Sequence, residues 1–153
     1  MAVEIERKFL VKNDSWKARV VSSYHIIQGY LVGEPKLAVR LRIIDDKEAL
    51  LTIKGKGEGI ARPEYEYPIP LVDAKGMLSM CGTRILEKTR HLINANDGLK
   101  WEVDVFAGRH AGLVLAEIEL PSLDTNVELP EWTGEDVSED PRYLNAVLAI
   151  PAE

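Results

Sequence analysis

Charged residues recur at every second position, in one segment after another. Glu4, Glu6 and Lys8 sit two apart, with Val3, Ile5 and Phe9 on the opposite parity. Arg40 and Arg42 oppose Val39, Leu41 and Ile43; Thr52 and Lys54 oppose Leu51 and Ile53; Arg62, Glu64 and Glu66 oppose Tyr65 and Tyr67. The same holds for Lys88 with Arg90, for Lys100, Glu102 and Asp104 against Leu99, Trp101 and Val103, and for Glu117 and Glu119 against Ala116, Ile118 and Leu120. A period of two is that of a β-strand, whose side chains alternate between faces. One strand of this kind implies only a solvated sheet face. A whole set with nearly all polar positions ionised, and an opposite face apolar enough to need cover, points to a sheet that closes. Closure removes edges and creates an inside. Charges on that inside must be paired, metal-bound or matched by a ligand, because burying them alone is prohibitively costly. Arg and Lys clusters suit phosphate oxygens; carboxylate clusters suit Mg²⁺ or Mn²⁺.

The segmentation agrees. Strands are predicted over 2–11, 25–32, 37–44, 48–54, 62–69, 84–93, 99–106 and 112–120, giving eight antiparallel strands in a mostly β, α+β chain. Asp45-Asp46-Lys47 and Asn96-Asp97-Gly98 read as hairpin turns. A short helix is expected over 13–23, with Asn13 or Asp14 as cap and Trp16, Val20 and Val21 on one face. A second is expected from a cap at Asp73 to Gly82, and a third from Asp140-Pro141. Segment 121–139 reads as loop. No repeat or linker interrupts the chain, so one domain over 1–153 is expected.

Composition excludes several classes. A net charge of −6 argues against a surface built to coat nucleic acid or anionic membrane, so a polyanion would have to bind somewhere enclosed. No apolar run approaches the ~20 residues of a membrane helix. Cys81 is the only cysteine, and charges at 4, 6, 7 and 8 stand where a secretory signal needs its apolar stretch; a cytoplasmic location is expected. "GKGEG" (55–59) lacks the pattern of a phosphate-binding loop and reads as a mobile loop. His25, His91 and His110 form no zinc motif, and Trp16, Trp101 and Trp132 read as core or lid.

"EIERKFLV", "QGYL" (28–31), "RLR" (40–42), "LTIKG" (51–55), "PEYEYPI" (63–69), "EKTRH" (87–91), "WEVDVF" (101–106), "AEIEL" (116–120) and "DPRYLNAVLA" (140–149) together resemble the CYTH superfamily of triphosphate tunnel metalloenzymes, over almost the whole chain. The resemblance implies an eight-stranded antiparallel barrel that holds a linear triphosphate in its tunnel with a divalent metal, Mg²⁺ or Mn²⁺. It implies triphosphate contacts from Lys8, Arg40, Arg42, Lys54, Lys88 and Arg90. Metal contacts are implied for Glu4, Glu6, Glu117, Glu119 and Asp104. Glu4, Glu6 and Lys8 thereby join the catalytic group, with Tyr30 as a proton-transfer, positioning or simply packed residue. Glu64, Glu66 and Glu102 could be ligands, salt-bridge partners or water-positioning groups. One departure stands out: some relatives supply a C-terminal basic contact, whereas only Arg109 and Arg142 come after Lys100 here. The expected activity is hydrolysis of a small triphosphate, inorganic tripolyphosphate first. The alternatives are a class IV adenylate cyclase, a thiamine or nucleoside triphosphatase, and a non-enzymatic polyphosphate-binding module.

Overall fold

The computed structural model describes residues 3–34 and 36–150. The eight expected strands form as β1 (Val3–Val11), β2 (Val20–Gly33), β3 (Leu37–Ile44), β4 (Glu48–Gly55), β5 (Ala61–Ile69), β6 (Ile85–Asn94), β7 (Lys100–Phe106) and β8 (Val114–Glu119). Around the sheet the order is β5-β4-β3-β2-β6-β7-β8-β1, and β1 then pairs with β5, which closes an all-antiparallel barrel. Register keeps the charged parity on one side throughout: Lys8 lies opposite Glu117, Arg42 opposite Gln28, Arg90 opposite Asp104, and Lys54 opposite Glu64. The β3–β4 turn carries Asp45 and Asp46 at φ 51° and 54°, with Lys47 N–H donating to the Ile44 carbonyl at 3.0 Å. Two left-handed residues are what a tight hairpin between right-twisted strands requires. The 55–59 loop also closes compactly, Glu58 and Ala61 exchanging backbone hydrogen bonds of 2.9 and 3.0 Å.

The helices are where expectation and structure part. The helix expected over 13–23 is one 3₁₀ turn, Ser15–Arg19, that buries Trp16. β-branched Val20 and Val21 instead begin β2, which pairs with β6 from Val20 onward. The second helix, α1 (Leu71–Leu78), starts behind Pro70, so Asp73 lies in its first turn and is not its cap. Asp140 does cap, accepting from Arg142 N–H at 3.0 Å, but the element it caps is a 3₁₀ turn, Pro141–Tyr143, which leads into the short α2 (Asn145–Leu148). Inside the expected loop lies a ninth strand, β9 (Thr133–Asp136), which pairs with β1 beyond the stretch that β5 occupies. At four residues it is too short to show a period.

The apolar core lies mostly outside the barrel. Phe9, Trp16, Trp101, Val103, Ile118 and Trp132 pack where the 3₁₀ turn and the 121–137 segment cover β1, β6, β7 and β8. Leu41, Ile43, Ala49 and Cys81 pack beneath α1. Gly29 permits that approach, since a Cβ there would meet Cys81 Sγ at 2.7 Å and Leu78 Cδ1 at 2.9 Å. A third cluster fills one end of the interior: Tyr30, Ala38, Leu86, Phe106 and Leu115 point inward and are capped by Leu148 and Ala149. Arg109 donates to the Ala149 carbonyl, and the His110 ring lies 2.6 Å from the Leu148 carbonyl, so the β7–β8 connection holds this plug in place. Among the described residues no helix is long and apolar enough to cross a membrane.

Candidate active site

Between the plug and the open mouth, the charged faces enclose a cavity of about 500 Å³. Glu4, Glu6, Arg40, Arg42, Lys54, Glu64, Glu66, Arg90, Glu102, Glu117 and Glu119 all line it. Lys8, Lys88, Asp104 and Tyr30 lie deeper on the same inward face, each 5% exposed or less.

The cations divide by partner. Lys54 bonds Glu4 at 2.7 Å, and Lys8 stands 3.3 Å from Glu117 Oε1 while donating to the Tyr143 carbonyl at 2.9 Å. Arg90 spends its whole fork on carboxylates: Nε and Nη2 reach Asp104 at 2.7 and 2.8 Å, and Nη1 reaches Glu102 at 2.8 Å. Burial alone would depress the Arg90 pKa, but Asp104 and then Glu102 outweigh it and raise it well above the ordinary arginine value. Lys88, fully buried, shares Asp104 at 2.7 Å. Its burial dominates and, with the Arg90 charge, brings its pKa down to about 7. Asp104 faces two cations at once, and its carboxyl is held below the usual range although burial opposes this.

Arg40 and Arg42 have no carboxylate within salt-bridge distance among the described residues. Arg42 Nε donates to Gln28 Oε1 at 3.1 Å, and Gln28 Nε2 donates to the Tyr30 hydroxyl at 3.0 Å. Burial, then the charges of Arg40 and Arg90, lower the Arg42 pKa to about 10. Arg40 Nε is buried with no hydrogen-bond partner. A polyanion would satisfy this donor and relieve that crowding.

The carboxylates carry the opposite strain. Glu6 lies directly across from Glu119, and Glu117 across from Glu102, so like charges face each other on adjacent strand pairs. Burial, then Glu117 and Glu4, raise the Glu6 pKa to about 7. Glu117 is held well below the usual range; burial pushes it up, but Lys8 and Arg90 prevail. Among the described residues no group of three or more His, Cys, Asp or Glu side chains is already gathered closely enough to hold a metal ion. The donor set nevertheless fits a hard divalent cation: among the described residues Glu117 Oε1 is buried with the Lys8 ion pair but no hydrogen bond, and a positive charge beside Glu6 would favour its ionised form.

Glu6 lends itself to a stability test. A carboxyl whose folded pKa lies near 7 and whose unfolded pKa lies near 4.5 binds its proton more tightly when folded. Its contribution to stability therefore falls as pH rises from about 4.5 to 7. Lys88 acts in the opposite sense, since its lowered folded pKa makes stability rise as pH passes about 7, and it offsets part of the Glu6 loss at the top of the range. In chelator, the thermal midpoint should drop by roughly 3–6 °C between pH 5 and pH 7.5. Added Mg²⁺ or Mn²⁺ should recover most of that loss at pH 7.5 and little at pH 5; scanning fluorimetry across the pH series reads this out.

Several sequence expectations need correction or refinement. Asp104, expected as a metal contact, has both oxygens taken by Arg90 and Lys88, so it stands as their counter-ion. Arg90 and Lys88, expected as triphosphate contacts, both pair with that same carboxylate. Glu119 is exposed at the mouth, whereas Glu117 is buried. Of the three open cases, Glu102 pairs with Arg90, Glu66 accepts from Thr52 at 2.7 Å, and Glu64 lines the cavity beside Lys54. Neither Arg109 nor Arg142 lines the cavity; Arg142 pairs with Asp140 on the surface. Sequence reasoning gave no role to Gln28, Tyr24 or Asn145. Gln28 shares the parity of its cross-strand neighbour Arg42, which is a usable signal, while Asn145 comes from a four-residue helix with none.

The geometry defines a closed β-barrel with a charged tunnel sealed at one end. The CYTH domain family matches residues 2–146, and the chain belongs to that family. It is 42% identical over 149 residues to an inorganic triphosphatase of Acetivibrio thermocellus, covering 97% of this chain and 94% of that protein. It is 37% identical over 150 residues to an inorganic triphosphatase of Nitrosomonas europaea, covering 96% and 97%. The solved structure of the inorganic triphosphatase NE1496 superposes with a TM-score of 0.69 at 36% identity, over 99% of both chains.

Proposed function

We propose that the protein hydrolyses inorganic triphosphate to pyrophosphate and phosphate, with a divalent metal, in the plugged tunnel. The carrying observation is that one cavity holds buried arginines with no carboxylate in salt-bridge distance among the described residues, Arg40 and Arg42, beside a group of carboxylates, Glu4, Glu6 and Glu117, in which burial and then mutual repulsion raise the Glu6 pKa. The similarity to two inorganic triphosphatases supports the reading. Triphosphate tunnel enzymes of the CYTH family are in general metal-dependent.

Arg40 and Arg42 receive the non-bridging oxygens, with Lys8 and Lys54 shifting part of their charge from Glu117 and Glu4 onto the substrate. Gln28, braced by Tyr30, fixes the Arg42 fork through Nε and leaves its terminal nitrogens to point at phosphate; this gives Tyr30 a positioning role. Arg90 and Lys88 neutralise Asp104 and keep the tunnel wall in place around the site. Glu6 and Glu117, with Glu4 and Glu119 nearer the mouth, would hold Mg²⁺ or Mn²⁺, which when bound neutralises phosphoryl charge and lowers the pKa of water. Water then adds in line to a terminal phosphorus and pyrophosphate leaves, with no covalent enzyme intermediate. The lone, buried, unpaired Cys81 supports a cytoplasmic setting.

A second reading has its own observation. A groove of about 460 Å³ shares Tyr24, Glu102 and Glu119 with the tunnel mouth and has Leu92, Leu99, Leu120 and Pro121 as apolar walls. It could seat the organic group of a triphosphate monoester. Phosphate release from triphosphate, pyrophosphate, ATP and thiamine triphosphate, with Mg²⁺, Mn²⁺ or excess chelator, separates the cases. Metal-dependent release from triphosphate, fastest of the four, is expected. Release unaffected by chelator would overturn the metal role, and tight triphosphate binding without hydrolysis would point to a binding module.

A further inference from the structure

Among the described residues, every one lining the main cavity belongs to a barrel strand except Asn145, which projects from the plug. Asn145 also borders the smaller cavity behind it, with Lys8, Tyr30 and Arg40, so it stands in the partition between open tunnel and sealed end. Lys88 Nζ donates to Asn145 Oδ1 at 3.2 Å. A lysine ammonium only donates, so the amide oxygen must face Lys88 and the amide NH₂ must face away from it. That NH₂ has no hydrogen-bond acceptor among the described residues. Two further ties hold the plug here: Lys8 to the Tyr143 carbonyl, and Arg109 to the Ala149 carbonyl. The sealed end of the tunnel thus presents a neutral, fixed donor beside a wall rich in cations and carboxylates.

We propose that Asn145 is a substrate-binding residue: its Oδ1 holds Lys88, and its Nδ2 donates to a non-bridging oxygen of the innermost phosphoryl group. This rests on the triphosphatase reading above. A neutral donor recognises the end of the chain without adding a charge that the departing product would have to leave behind. It also requires the innermost phosphoryl to be unsubstituted, because the cavity behind Asn145 holds only about 30 Å³, too little for an organic group. Triphosphates esterified at one end enter with the ester at the mouth; those esterified at both ends do not fit.

Asn145→Ala and Asn145→Asp separate a substrate contact from a structural one. Asp keeps an oxygen for Lys88 but replaces the donor by an acceptor. The full-length variants are compared in triphosphate calorimetry, steady-state kinetics and thermal midpoint. Asn145→Ala should weaken triphosphate binding and raise KM about tenfold, within the range of one hydrogen bond to a charged group, with kcat changing less. Asn145→Asp should weaken binding further still while its thermal midpoint stays at or above that of Asn145→Ala, so affinity and stability rank the variants in opposite orders. A P1,P3-disubstituted triphosphate should not compete for the wild-type site. Wild-type affinity in a folded Asn145→Ala variant overturns the proposal while leaving the triphosphatase reading intact. If that variant does not fold, wild-type affinity in Asn145→Asp overturns it equally. A wild-type protein that neither binds nor hydrolyses triphosphate overturns both.

Discussion

Glu6→Gln and Glu117→Gln are each expected to cut triphosphate turnover by on the order of 10²–10³-fold while triphosphate affinity changes far less. The amide keeps the size of the carboxyl and removes its charge, so the tunnel keeps its shape. Glu6→Gln removes a carboxyl held near neutral pKa by burial and by Glu117, and Glu117→Gln removes a buried carboxylate whose Oε1 has the Lys8 ion pair and no hydrogen bond among the described residues. A divalent cation between them relieves the repulsion on Glu6 and uses the ionised Glu117 as a ligand, so the metal should be bound weakly or not at all in either variant. Glu119→Gln, at the exposed rim, should have a smaller effect than Glu117→Gln. Apparent metal affinity, turnover and triphosphate binding measured on the same preparations check this. Undiminished turnover in both Glu6→Gln and Glu117→Gln would remove the pair from the chemistry.

Two arginines of the same tunnel should fail in different ways. Arg42→Ala removes a cation that has no carboxylate of its own, so triphosphate affinity should fall by about 1.5–3 kcal/mol, roughly 10–150-fold. Stability should hold or improve slightly, because burial beside Arg40 and Arg90 makes the Arg42 charge unfavourable in the free protein. Arg90→Ala instead strips Asp104 and Glu102 of three hydrogen bonds in a region with almost no solvent. Breaking one side of such a buried pair costs about 3–5 kcal/mol, and for a chain of this length that lowers the melting temperature by roughly 10 °C or more. Calorimetric affinity beside thermal denaturation distinguishes the outcomes. An Arg90→Ala protein as stable as wild type, or an Arg42→Ala protein with unchanged affinity, would contradict the division of labour.

The inward residues were legible in the sequence because parity is a local property. Glu4, Glu6, Lys8, Arg40, Arg42 and Lys54 announce their face by spacing alone, and a closed sheet keeps that face common to all strands. What spacing does not carry is pairing across strands. Asp104 reads like any other inward carboxylate, and only the register that sets it against Arg90, with Lys88 on the same strand as Arg90, makes it a counter-ion. The helical expectations failed for a related reason. Val20 and Val21 have helical spacing from Trp16, yet the tertiary pairing with β6 offers them more than a one-turn helix can. β9 and Asn145 lie in short elements whose existence depends on surfaces built elsewhere, β1's free edge in one case and the barrel's open end in the other.

The closure of β1 against both β5 and β8 has a bearing on how the chain comes to be folded. Glu6 finds its partner Glu119 more than a hundred residues later, and Glu4 finds Arg62 across three intervening strands. Contacts of such sequence separation form late, because the entropy of closing a long loop precedes the reward. The β2–β3–β4–β5 and β6–β7–β8 meanders are made of neighbouring hairpins and need no such wait. The carboxylates on β1 therefore meet those on β8 only when the last seam is sewn, and refolding followed by recovery of metal-dependent turnover should lag behind the gain of β-structure by circular dichroism. In a molecule arranged this way, activity reports completed topology, and a nascent chain that has not yet released its eighth strand holds no functional half-site.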